Sequence, residues 1–162
     1  DKQLSELVEQ MRAVVQALKY DGRRSLAGPL AEMMRIRGAD VLADAACVVP
    51  VPLHASRRRH RGFNQASDLA RHIGLPVIHA LCRTRATATQ TGLSAARRHR
   101  NVRDAFAATS SARQIAGLTV VLIDDVSTTG ATLDACARAL KGVGAKEVRA
   151  LTAARVGAGA RG

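Results

Sequence analysis

Aromatic side chains are almost missing from this 162-residue sequence, which has no Trp, one Tyr and two Phe. Proteins that hold single-stranded nucleic acid by stacking its bases need several exposed rings, so Tyr20, Phe63 and Phe106 are a poor basis for that mode of binding. Cysteine is scarce too. Cys47, Cys82 and Cys136 lie far apart, form no C-x-x-C pair and sit among apolar or small residues, which argues against a disulfide scaffold or a thiolate zinc site. Three buried free thiols in a reducing compartment are expected. No apolar run approaches the ~18 residues that a membrane span takes, and the opening DKQLSELVEQ lacks the basic and then apolar stretches of a secretory leader. The expectation is a soluble, cytoplasmic protein without a membrane partner. Walker A, G-x-S-x-G and H-E-x-x-H patterns are absent, leaving NTPase, serine hydrolase and zincin readings without support. Residues 157–162 satisfy G-x-G-x-x-G in letters, but no helix follows to receive a dinucleotide, so they read as a flexible tail.

Acidic residues are also few, 13 against 25 basic ones, for a formal charge of +12. At 47% hydrophobic residues the chain is too apolar to be a disordered basic tail, and its length suits one globular unit with a sizeable core. The charge is concentrated. Residues 1–53 hold seven basic and seven acidic side chains, residues 54–103 hold eleven and one, and residues 104–162 hold seven and five. Such a focused positive field speaks for a phosphate-bearing partner, either a nucleic acid or a small phosphorylated molecule.

Apolar residues from Leu4 to Leu18 recur at helical spacing, predicting a helix over 3–18. A second helix is predicted with Ser25 as N-cap, Pro29 early, Leu26, Leu30, Met33 and Met34 along it, and Gly38 at its end. The unbroken run Ala45–Val49 predicts a strand covered on both faces, stopped by Pro50-Val51-Pro52. A helix over 65–73 capped by Gly74, a short strand near Val77-Ile78 and a long mobile loop over 83–105 follow. The strongest strand signal is Leu118–Ile123, after which come Asp124-Asp125, a Ser/Thr/Gly turn, a helix turning Leu133, Cys136, Ala137 and Leu140 inward, and a strand over 147–154. Strands alternating with helices predict an α/β domain with a parallel sheet. In such sheets ligands bind beyond the carboxyl ends of the strands, where loops 50–62 and 124–130 meet.

The segment Val120–Thr132, VVLIDDVSTTGAT, carries the clearest chemistry. Backbone N–H groups of Ser127 to Thr132, with the hydroxyls of Thr128, Thr129 and Thr132, make a cup at the positive end of the following helix that suits a terminal phosphate. Asp124 and Asp125 repel phosphate, but they can accept hydrogen bonds from the vicinal hydroxyls of a sugar or hold Mg²⁺ through water. Together they describe a ribose 5-phosphate site. An N-capped helix without a ligand is the plainer alternative, yet capping does not call for two consecutive Asp at the end of an apolar strand.

Val120–Thr132 resembles the PRPP-binding signature of type I phosphoribosyltransferases, with the acidic pair, the TTG turn and the last Thr in register. Further pieces narrow the resemblance to the ComF family of competence-associated, phosphoribosyltransferase-like proteins. Tyr20–Ala27, Val49–His54, Arg61–Ala66 and Thr87–Leu93, with Arg97, Arg98 and Asn101, resemble that family in the same order over about residues 18–155. PVPLH and RGFNQ discriminate more sharply than the shared signature.

The resemblance implies a type I phosphoribosyltransferase fold, with a helical N-terminal hood over 1–44, a phosphoribosyltransferase core over 45–156 and the tail. It implies PRPP contacts from Asp124, Asp125, Val126, Ser127, Thr128, Thr129, Gly130, Ala131 and Thr132. It adds a pyrophosphate loop at Pro52, Leu53 and His54, with Arg61 nearby, and Mg²⁺ at Asp124 and Asp125. Thr87–Arg98 resembles the mobile loop that closes over PRPP in relatives and excludes water, with Gln90 and Arg97 joining Asp124 and Asp125 as the catalytic candidates. Relatives are often dimers, so a homodimer is implied. Two departures stand out. Many members carry a zinc element built from four cysteines, and this sequence has no such cluster. In some purine-salvage relatives the position of Thr128 is an Asp that acts as general base, a proton that threonine cannot take. Two functions follow: a Mg²⁺-dependent transferase moving ribose 5-phosphate from PRPP to an unidentified acceptor with loss of pyrophosphate, or a non-catalytic PRPP or nucleotide sensor or nucleic-acid-binding component of DNA uptake.

Overall fold

The computed structural model describes residues 26–53, 64–84, 105–127 and 130–155. The helix predicted over 3–18, the basic stretch 54–63, the loop 85–104, Thr128, Thr129 and the tail lie outside the described residues. In chain order the elements are α1 (Ala27–Arg37), α2 (Ala39–Leu42), β1 (Cys47–Pro50), α3 (Gln65–Arg71), β2 (Leu81–Arg83), β3 (Phe106–Ala108), a 3₁₀ helix (Ser110–Ile115), β4 (Thr119–Ser127), α4 (Ala131–Gly142) and β5 (Glu147–Arg155).

β1, β4 and β5 form a parallel sheet in that spatial order, with Val48 opposite Val121 and Val121 opposite Arg149. On the other edge of β1 the segment around Val77 adds a parallel bridge, in which Val48 N–H donates to Pro76 O and Ile78 N–H to Val48 O. The chain therefore leaves β1 toward one side and returns on the other through β4, a reversal that opens a crevice above the ends of β1 and β4.

Alternation along the strands splits the core into two layers. Cys47, Val49, Val120 and Leu122 face the layer that holds Cys136 and Leu140 of α4, Ile115 and Phe106. Val48, Val121 and Ile123 face the other, with Leu30 and Met34 of α1, Leu69 of α3 and Ile73 just after it. A sheet covered on both faces explains the unbroken apolar runs. The helices assigned to the hood over 27–42 thus share a core with the sheet. Gly38 ends α1 as predicted, and a Cβ there would lie 2.5 Å from Leu151 Cδ1 and 2.8 Å from Met34 O, so the close approach of α1 to β5 requires glycine.

Several elements differ from the sequence expectation. Met33 is 38% exposed, because only Ala27, Leu30, Ala31 and Met34 form the buried stripe of α1. Leu26, not Ser25, occupies the α1 N-cap and makes no side-chain cap bond. α3 ends at Arg71 and is capped by His72 rather than Gly74. β4 does not stop at Ile123. Backbone pairing of Asp124 with Thr152 and of Ser127 with Arg155 carries the strand through the acidic doublet. β2 and β3 make an antiparallel pair at the base of the predicted loop, where Thr84 N–H and Oγ1 both donate to Ala105 O. Cys82 is exposed, since β2 buries Leu81 on one face and turns Cys82 to the other.

Candidate functional site

A cleft of ≈150 Å³ opens at the carboxyl ends of β1 and β4. Its floor on the β1 side is Val51, Pro52 and Leu53, and on the β4 side Asp124 and Asp125, with Thr132 of α4 above them. Asn64, Gln65 and Ala66 at the start of α3 close one wall, and Arg83 at the end of β2 closes another.

Short backbone and side-chain links hold these walls in place. Val51 N–H donates to Ile123 O at 2.9 Å, tying the end of β1 to β4. Asn64 works at both ends of its amide: Nδ2 donates to Val51 O at 3.1 Å, and Oδ1 accepts from Ala66 N–H at 3.0 Å as the N-cap of α3. One side chain thereby caps a helix and clamps the 51–53 loop. Across the cleft, Gly130 is the N-cap of α4 with φ of +80°, a left-handed conformation that glycine adopts without strain, and the chain can turn sharply from β4 into the helix.

Asp124 and Asp125 are both half-buried. Strand alternation places them on opposite faces, Asp124 on the side of Val120, Leu122 and α4, Asp125 on the side of Val121, Ile123 and α3, yet both reach the cleft because the strand end projects into it. Asp125 N–H donates to Asp124 Oδ1 at 2.9 Å, which orients the first carboxylate. Beneath it the Cys136 thiol is held well above its ordinary range by burial and, secondarily, by the negative charge of Asp124, with Arg83 acting the other way. The Arg83 guanidinium lies 5.1 Å from the centre of the Phe106 ring, directly across the β2–β3 pair, so the cation is stacked in position at the cleft wall.

Of the residues singled out in the sequence, Pro52, Leu53, Asp124, Asp125 and Thr132 meet in this cleft. Ser127 is buried in β4 and Gly130 and Ala131 form the turn into α4, outside the lining, while Val126 contributes backbone pairing with Ala154. His54, Arg61, Gln90, Arg97, Thr128 and Thr129 lie outside the described residues. The sequence reading omits Val51, Asn64, Gln65, Ala66 and Arg83. For Asn64 and Gln65 a signal exists in the RGFNQ string; Arg83 is one of eleven basic residues over 54–103 and nothing local distinguishes it.

No cluster of three or more His, Cys, Asp or Glu forms a metal cage among the described residues. Mg²⁺ does not need one. It is commonly held by one or two carboxylates together with waters and substrate phosphates, and the adjoining carboxylates of Asp124 and Asp125 at an open cleft fit that requirement. Among the described residues no helix is long and apolar enough to cross a membrane.

Comparison with known proteins agrees with this geometry. A family model described as a phosphoribosyl transferase domain matches residues 59–161. The chain is 30% identical to Competence protein F of Haemophilus influenzae over 94% of its own length and 71% of that protein. It is 34% identical to DNA utilization protein YhgH of Salmonella typhi over 90% of its length and 67% of that protein. Among solved structures, glutamine phosphoribosylpyrophosphate amidotransferase from B. subtilis, complexed with ADP and GMP, superposes with a TM-score of 0.51 at 25% identity. That match covers 80% of this chain and 26% of the larger one. The reversal of strand order at β1, the doublet at the end of β4 and the glycine turn into α4 are thus parts of a type I phosphoribosyltransferase fold, and the chain belongs to the phosphoribosyltransferase domain family as a ComF-type member.

Proposed function

We propose that the cleft binds PRPP and that the protein transfers its ribose 5-phosphate, with loss of pyrophosphate, to an acceptor not yet identified. The observation that carries this reading is the meeting of Asp124, Asp125, Thr132 and the Pro52–Leu53 loop in one cleft. The N-terminal turn of α4 offers backbone N–H groups to the 5-phosphate. The two carboxylates accept hydrogen bonds from the ribose hydroxyls, and the loop after β1 receives the diphosphate. When bound at Asp124 and Asp125 through water, Mg²⁺ supplies positive charge that offsets the diphosphate. Breaking the bond to the diphosphate builds positive charge on the ribose ring, which the Asp124 and Asp125 carboxylates stabilise electrostatically. Arg83 adds a fixed cation at the wall.

Isothermal titration of PRPP with Mg²⁺ tests the site. Wild type is expected to bind, and a variant carrying Asp124→Asn and Asp125→Asn to lose at least tenfold in affinity, about 1.4 kcal/mol or more. Equal binding by the two proteins would place the ligand elsewhere. Turnover is read as pyrophosphate release with candidate acceptors.

A second reading has its own observation, the eleven basic residues against one acidic over 54–103. On this reading the fold is a binding module that contacts nucleic acid, in keeping with relatives named for competence and DNA utilization. Binding of an oligonucleotide by the double Asp variant, without pyrophosphate release by wild type across bases, amines and nucleic acids, would favour it.

A further inference from the structure

Gln65 is 3% exposed, yet its amide nitrogen has no hydrogen-bond partner among the described residues. A buried donor left unpaired is costly and uncommon in native proteins. It is not spent on fold geometry, because the neighbouring Asn64 already supplies both the cap of α3 and the clamp on Val51. Gln65 instead lines the cleft, beside Pro52 and Leu53. We propose that Gln65 Nε2 donates a hydrogen bond to a diphosphate oxygen of PRPP, an assignment that rests on the PRPP reading above.

Two arguments select the diphosphate over the rest of the ligand. The first is position. α4, whose N-terminus suits the 5-phosphate, packs on one face of the sheet, and α3 packs on the other. A ligand that starts at α4 and crosses the ends of β4 and β1 therefore brings its far end to Gln65 and the 51–53 loop. The second is donor chemistry. Ribose hydroxyls can donate to Asp124 and Asp125, whereas ionised diphosphate oxygens only accept and need N–H partners. A neutral amide supplies one without collapsing onto the two carboxylates, as a lysine in the same place would.

Calorimetry on the full chain decides the point, with PRPP and ribose 5-phosphate as separate ligands in the presence of Mg²⁺, alongside thermal melts of the ligand-free protein. Gln65→Leu is expected to weaken PRPP by about tenfold to a hundredfold and to leave ribose 5-phosphate within about twofold. The ligand-free melting temperature of the variant should hold or rise, because an unpaired buried donor is removed. Gln65→Met, which keeps the side-chain length, is expected to behave alike and serves if the Leu variant does not fold. Unchanged PRPP affinity in a folded variant overturns the assignment while the PRPP reading stands, and so does an equal loss for both ligands. Failure of wild type to bind PRPP at all defeats the underlying reading, and this assignment with it.

Discussion

Burial treats the three thiols differently: Cys47 and Cys136 are enclosed, and Cys82 is exposed. Burial raises the pKa of both enclosed thiols, and Asp124 raises that of Cys136 further. At pH 8 iodoacetamide should therefore label Cys82 in the native protein and reach the other two only on unfolding. The same shifts set a stability slope. Above about pH 8.5 the unfolded chain sheds its thiol protons while the folded chain keeps them, so the unfolded state binds fewer protons and stability falls as pH rises. The contribution is complete below about pH 8.5 and declines above it until the folded thiols themselves ionise. Cys136→Ala lowers stability at every pH by opening a cavity, but it should flatten the alkaline slope measured by urea unfolding. An unaltered slope, or native labelling of Cys136 as fast as Cys82, would contradict the enclosure of this thiol beneath Asp124.

Two of the bonds that hold elements at the cleft come from Asn64, and substitution can separate them. Asn64→Asp keeps an acceptor for Ala66 N–H but loses the donor to Val51 O, whereas Asn64→Ala loses both. The Ala variant should lose about 1–2 kcal/mol in denaturant unfolding, and the Asp variant less, because the cap survives. Both should weaken PRPP, since both release the loop at Pro52 and Leu53. An Asp variant with wild-type affinity would show that the clamp on Val51 has no bearing on the ligand. This division of labour is the part of the site that a linear reading misses. The RGFNQ string is visible, but nothing in it says which amide is consumed by a cap and which is left facing the cleft. Strand ends are hidden for a related reason. The apolar run predicts β4 only to Ile123, and its continuation through the doublet depends on backbone partners in Thr152–Arg155, far along the chain. The β2–β3 pair is three residues a side and closes a long intervening segment, so neither strand carries a periodicity of its own. Where helix and strand signals are local and strong, as in Cys47–Val49, Thr119–Ile123 and the helix after Gly130, sequence and structure agree because both faces of the sheet are covered; Pro50, expected to stop β1, is its last residue.

At the scale of the whole molecule the excess of positive charge is the feature that the cleft does not account for. Ten of the twelve excess charges fall within residues 54–103, far more than one diphosphate can use. We propose that they meet the phosphates of a nucleic acid, and the structure narrows how. Phe106 is 8% exposed and lies beneath Arg83, so it offers no face to a base. With Trp absent and Tyr20 and Phe63 the remaining rings, stacking has little to draw on, and the contact proposed is with the backbone of the strand rather than with its bases. Binding of a single-stranded oligonucleotide, followed by fluorescence anisotropy, should then weaken steeply with salt. Each neutralised phosphate adds about −0.7 to the slope of log K against log salt, so four to six contacts give roughly −3 to −4. Affinity should also be nearly the same for oligo-dT and oligo-dA, because charge neutralisation is blind to the base. A shallow slope, or a strong preference between these two strands, would show that something other than this basic third grips the nucleic acid. No binding at low salt would overturn the assignment of this charge to a nucleic acid.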